Sequence, residues 1–97
     1  MGGVGKSFCA GGDIMALYKS GMQPPGPGRE TSISFPMYEY LLDWNIADMD
    51  ICQIAIWNGI VMGGGVGLTS HAKIRIACET TIYAMPETGI GFFTDVG

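Results

Sequence analysis

Charge is scarce in this chain of 97 residues: Asp, Glu, Lys and Arg together make up 14%, against about 25% in ordinary soluble domains. Only 5 residues are basic, against 9 acidic, for a net charge of −4. That balance excludes nucleic acid as the main partner, because phosphate binding needs clustered cations. The 3 cysteines, Cys9, Cys52 and Cys78, are scattered and form no C-x-x-C pair. An odd, dispersed set excludes a disulfide scaffold and reads as reduced thiols. A long apolar run is also missing. The most apolar stretch, 51–68, is interrupted by Gln53, Asn58 and several glycines, whereas a membrane span needs about 20 predominantly apolar residues. The opening residues lack the basic-then-apolar order of a secretory signal.

Apolar residues (47%) and glycine (16 residues) are abundant, and this content excludes disorder. A small free-standing domain has a large surface to cover with polar groups. The composition therefore reads as the inside of something larger.

Along the chain, Asp13 is placed to cap a short helix through about Lys19. Residues 20–31 hold three prolines and three glycines, which predicts a mobile loop without regular structure. Ile33, Met37, Tyr40, Leu41 and Trp44 recur at near-helical spacing. They predict an amphipathic helix over about 32–47, with Glu39 and Asp43 on its wet side. The acidic set Glu39, Asp43, Asp48 and Asp50 spreads along one element and does not converge as metal ligands do. Residues 51–57 suit a buried strand, and a helix is expected to start near Val66. Ile74, Ile76 and Cys78 alternate with more polar positions as a further strand. Residues 81–85 suit one more, ended by Pro86. The alternation of strand and helix points to an α/β layered fold. The sequence contains no visible internal repeat.

The opening Gly-Val-Gly-Lys-Ser resembles the end of a phosphate-binding loop, but its first glycine would precede the chain and Phe8-Cys9-Ala10-Gly11-Gly12 follows. The glycines at 63–67 do not fit G-x-G-x-x-G, since Leu68 takes the last place. His71, the sole histidine, has no Ser or Cys placed to use it as a base. Lys73 and Arg75 share a strand face that suits solvent better than an anion. Two glycine turns and two carboxylates remain. Ala10-Gly11-Gly12-Asp13 and Met62-Gly63-Gly64-Gly65 present backbone N–H groups with no side chain in the way. Two such amides on one oxygen would make an oxyanion hole; the same pattern also fits tight turns and close packing. Glu87, after Pro86, and Asp95, past the apolar 89–93 turn, suit acid–base work in apolar surroundings. Helix capping is the other reading of each.

Three segments, KSFCAGGDI (6–14), NGIVMGGGVGL (58–68) and MPETGIGFFTDVG (85–97), together resemble the crotonase superfamily, and within it the thioester-hydrolase branch. The resemblance implies a spiral of ββα units, with residues 1–97 as the central portion of one partial domain. It also implies an acyl-CoA thioester substrate. The oxyanion amides then fall on Gly12 and Gly64, the catalytic glutamate on Glu87, and the aspartate of the hydrolase branch on Asp95. Glu39 matches a substrate-contacting glutamate. The similar hydratases carry a second catalytic glutamate three residues after the middle glycine, where this chain has Gly67. Thr94 replaces a common proline before the aspartate and Gly89 a common alanine; neither change removes a functional group.

The activity so implied is hydrolysis of a short 3-hydroxyacyl-CoA in valine breakdown. It needs no metal or redox cofactor, and coenzyme A enters as part of the substrate. The resemblance further implies the mitochondrial matrix, or the cytoplasm of a prokaryote, and leaves room for a homo-oligomer of a longer protein. Two other readings stand beside it: a hydratase or isomerase of the same superfamily, and a truncated chain without activity of its own.

Overall fold

The computed structural model of the chain describes residues 1–96. Five short strands and three helices alternate: β1 (Ser7–Cys9), α1 (Ile14–Gly21), α2 (Glu30–Asp48), β2 (Ile54–Trp57), β3 (Ile60–Met62), α3 (Gly64–Ser70), β4 (Ile74–Ala77) and β5 (Ile82–Ala84). A 3₁₀ helix, Pro27–Arg29, precedes α2, and another, Pro86–Ile90, follows β5. The strands form two sheets, both wholly parallel: β1-β3-β5 in one and β2-β4 in the other. Gly2 bridges to Ile56 and extends the second sheet by one partner.

Each turn of the chain therefore contributes one strand to each sheet and then closes with helical backbone. Strands β2 and β3 close with α3, and β4 and β5 with the second 3₁₀ helix. This is a spiral of ββα units, a repeat in structure that has no counterpart in sequence similarity between the units. β3 is the element that the periodicity missed. Its three residues lie between glycine turns and have no length over which to show a period; they are strand because partners far away in sequence lie on both sides. Ser7 pairs with Ile60, and Ile60 with Ile82.

The buried apolar set is small, comprising Ile46, Ala55, Val61, Val66, Ala72 and Val96. Thr69 of α3 is fully buried among them. Its hydroxyl donates to the Gly65 carbonyl (2.9 Å) and accepts from the Trp57 indole N–H (3.0 Å), which ties α3 to β2. The Arg75 guanidinium donates to the carbonyls of Ser70 (2.7 Å) and Ala72 (2.6 Å) at the end of α3. Its role here is to satisfy helix-terminal carbonyls.

Three expectations change. Residues 20–31 do carry regular structure: α1 runs to Gly21, the 3₁₀ helix occupies Pro27–Arg29, and α2 begins at Glu30. Proline is tolerated in the first turn of a helix, and Ser20 supplies the remaining order. Its buried hydroxyl donates to Gly28 O (2.9 Å) and accepts from Ser32 N–H (3.1 Å), pinning the ends of the turn together.

The second change concerns α2. The stripe of Ile33, Met37, Tyr40, Leu41 and Trp44 faces outward, Trp44 being 71% exposed. The face that packs inward carries Asp43 and Ile46. Periodicity finds a stripe but not its partner; α2 is oriented by the elements that it meets, and these are α1 and α3. The third change is that 51–57 is not a buried strand. Only Ala55 is enclosed; Ile54 and Ile56 stand in register beside Ile74 and Ile76, and all four are exposed. No described residue covers that face. No helix among the described residues is long and apolar enough to cross a membrane.

Candidate active site

The three strands of the first sheet run parallel, so their C-terminal ends lie side by side. β1 leads into Ala10-Gly11-Gly12, β3 into Gly63-Gly64, and β5 into Met85-Pro86-Glu87. Segments about 50 and then about 25 residues apart along the chain are thereby brought together at the carboxyl ends of the strands, where parallel sheets place their ligands. The two glycine turns touch: a Cβ on Gly11 would stand 3.3 Å from the Gly64 nitrogen and 3.3 Å from the Met62 oxygen.

Beside them opens a cavity of about 520 Å³. Gly12, Glu39, Gly64, Glu87 and Asp95 all line it, together with Phe35 from α2. All five residues singled out from the sequence thus share one space. Gly64 is the first residue of α3, so no carbonyl within the helix can take its N–H. The Gly12 carbonyl accepts from Ile14 N–H (3.0 Å) at the entry to α1. Asp13 caps that helix, its carboxylate accepting from Ala16 N–H (2.9 Å). The Glu87 carboxylate lies over the second turn, with Oε1 3.2 Å from where a Cβ on Gly63 would stand. Its Oε2 is buried and has no hydrogen-bond partner among the described residues. A buried carboxylate oxygen left unpaired is costly; Glu87 itself lines the cavity.

Glu39 reaches in from α2, and any Cβ on Gly64 would overlap its Oε1. Burial pushes the Glu39 carboxyl above its usual range, and the nearby carboxylates of Asp43, Asp95 and Glu87 add to the shift. Asp95 is held by Tyr40, whose phenol donates to Asp95 Oδ2. That hydrogen bond, aided by burial, pushes the Tyr40 phenol up to about 12. Gly67 lies outside the cavity: a Cβ there would stand 2.6 Å from Asp43 Oδ2 and 2.7 Å from Val96 Cβ. His71 is the exposed C-cap of α3. The three thiols are free.

Two neighbours of the site escaped the sequence reading. Tyr40 counted as part of an apolar stripe, and Asp43 as part of a wet helix side. Asp43 is in fact 8% exposed. Its spacing four residues after Glu39 carried the signal, since i and i+4 share a helix face. Among the described residues, no group of three or more His, Cys, Asp or Glu side chains is arranged to hold a metal ion.

A coiled ββα fold that gathers two glycine turns and a glutamate at one sheet edge defines a class, and comparison with known proteins gives it a name. The enoyl-CoA hydratase/isomerase family matches residues 1–97; the chain belongs to that family. It is similar to the mitochondrial 3-hydroxyisobutyryl-CoA hydrolase of Dictyostelium discoideum, with 48% identity over 100% of this chain and 26% of that protein. It is also similar to the small ribosomal subunit protein mS47 of Neurospora crassa, at 50% identity over 95% of this chain and 18% of that one. Among solved structures, a carnitinyl-CoA dehydratase from Mycobacterium thermoresistibile superposes with a TM-score of 0.85 at 42% identity, covering 98% of this chain and 27% of that one. The chain thus spans about a quarter or less of the length of these relatives.

Proposed function

We propose that this segment carries the catalytic edge of a hydrolase for short 3-hydroxyacyl-CoA thioesters, with 3-hydroxyisobutyryl-CoA as the substrate. One observation carries the reading: two glycine turns and Glu87, one of whose carboxyl oxygens is buried and unpaired, line one cavity. The Gly12 and Gly64 amides polarise the thioester carbonyl and stabilise its oxygen as negative charge develops there. Glu87 takes a proton from the attacking water, or attacks the carbonyl carbon itself. Direct attack gives a mixed anhydride, which water then opens. In both routes the carbon–sulfur bond breaks, the thiolate leaves and takes up a proton as free coenzyme A, and the acid is released.

Glu39 and Asp95 hold the substrate hydroxyl. Asp95 is also placed to assist proton delivery to the leaving sulfur. The reaction draws on no metal or redox group. Gly67 supports hydrolysis over hydration, because its lack of a side chain leaves the paired-glutamate addition of water without its second group. The names of the mitochondrial relatives support a mitochondrial compartment; the matrix and valine breakdown are part of the same proposal.

The likeness to a ribosomal subunit protein favours a second reading, a structural component without turnover. Thiol release from 3-hydroxyisobutyryl-CoA separates the two, measured on this chain and on one extended to the length of its relatives. Hydrolysis that Glu87→Gln nearly abolishes, with binding retained, supports the hydrolase. Hydration of crotonyl-CoA instead would move the reading to a hydratase, and silence from both chains to the structural role.

A further inference from the structure

Asp43 is the buried ionisable group that the chemistry above does not use. It is 8% exposed, and neither carboxyl oxygen has a hydrogen-bond partner among the described residues. Three elements meet at it. Asp43 comes from α2, Gly67 from α3, and Val96 from the segment that carries Asp95. Asp43 Oδ2 and Val96 Cβ stand 2.6 Å and 2.7 Å from the point where a Cβ on Gly67 would be. Val96 is itself buried. One residue before it, Asp95 accepts the hydrogen bond from Tyr40, three positions before Asp43 on the same helix.

We propose that Asp43 is a positioning residue for Asp95: wedged over Gly67 and against Val96, it clamps the Asp95–Val96 segment to α2 and so aims the Asp95 carboxylate into the cavity. A glycine at 67 is part of the device, because any side chain there would displace the wedge. The groups facing Asp43 are His71 at the end of α3, Asp95 in the clamped segment, and Glu39 on α2 itself. Burial pushes its carboxyl above the usual range, Asp95 adds to the push, and His71 opposes it. Burial favours the neutral acid here, since an unpaired buried anion is costlier than a neutral group. Asparagine is close to that form in shape and charge; alanine leaves the wedge empty.

The proposal rests on the hydrolase reading for its effect on turnover, but not for its effect on Asp95. The test compares wild type, Asp43→Asn and Asp43→Ala in the full chain by phenolate titration and by thiol release. The hydrogen bond to Asp95 pushes the Tyr40 phenol up to about 12. We expect Asp43→Ala to bring that tyrosine down toward its ordinary value and to lower kcat by about tenfold or more, as misplacement of a site group does. Asp43→Asn should keep the late titration and restore kcat to within about threefold of wild type. A late tyrosine unmoved by Asp43→Ala would overturn the proposal, as would an asparagine variant that behaves like the alanine one. If wild type releases no thiol, the hydrolase reading falls by itself and the titration still decides the role of Asp43.

Discussion

Gly11→Ala offers a direct test of whether the Gly64 amide does electrostatic work. Gly11 sits at φ +93, in the left-handed half of backbone space, where an L side chain costs about 1–2 kcal/mol. Alanine recovers about 0.4–1 kcal/mol by restricting the unfolded chain, so the net loss from conformation is about 1 kcal/mol. For a domain of this size that lowers Tm by about 4–8 °C. Gly5 is the control. Its φ is nearly the same, +91, but a Cβ there would meet nothing within 4 Å. At Gly11 the new carbon would stand 3.3 Å from both the Gly64 nitrogen and the Met62 oxygen. Both are backbone atoms, which cannot swing aside as a side-chain tip can, so the second turn must shift by a few tenths of an ångström. Loss of one oxyanion donor costs about 10²–10³ in kcat; a partial displacement should cost about 10–100-fold. Thermal unfolding and thiol release are measured on both variants. Both should lose the conformational part, Gly11→Ala somewhat more because of its contacts, and only Gly11→Ala should lose turnover. Equal kcat in the two variants would refute the reasoning and return the glycine turns to a packing role.

Glu87→Gln should lower hydrolysis by about 10³-fold or more, as loss of an essential base or nucleophile does, while calorimetry still detects acyl-CoA binding. Tyr40→Phe should remove a phenol that titrates above the ordinary range from the absorbance titration. Because folding raises the Tyr40 value from 10.0 to about 12, the folded form holds its proton longer. The stabilisation is full below the ordinary phenol value and is lost as pH rises through about 12. In the variant, alkaline unfolding curves should lose that slope. Ser20→Ala removes a buried hydroxyl that bridges Gly28 and Ser32, and should cost about 1–2 kcal/mol in chemical denaturation. A loss near zero would mean that the turn before α2 is ordered by its prolines alone.

The glycine turns and the Pro-Glu step were legible because their signals are local. Gly11, Gly12, Gly63 and Gly64 each mark a place where backbone must come close to something, and Pro86 marks the end of a strand. The orientation of α2 was not legible. Its apolar residues and its carboxylates both recur at helical spacing, and only the position of α3 shows that Asp43 and Ile46 face inward while Trp44 faces out. β3 was hidden for a related reason: three residues have no period, and the strand exists through its pairing with β1 and β5. Residues 20–31 were misjudged because proline breaks helix interiors but starts them well, and a single hydroxyl, that of Ser20, holds the ends of the segment together.

The parallel order β1-β3-β5 has a kinetic consequence. None of the three site segments neighbours another in sequence; Ser7 finds Ile60, and Ile60 finds Ile82, only after the intervening chain has closed into loops. Loop closure of that kind is slow, because its entropy is lost before any contact is gained. The cavity needs all three strands in place, so a chain that lacks one of these pairings lacks the complete cavity. A ligand that needs both glycine turns and Glu87 would select the fully docked chain and draw the folding equilibrium toward it. For such a site, ligand binding and completion of the fold are one linked equilibrium.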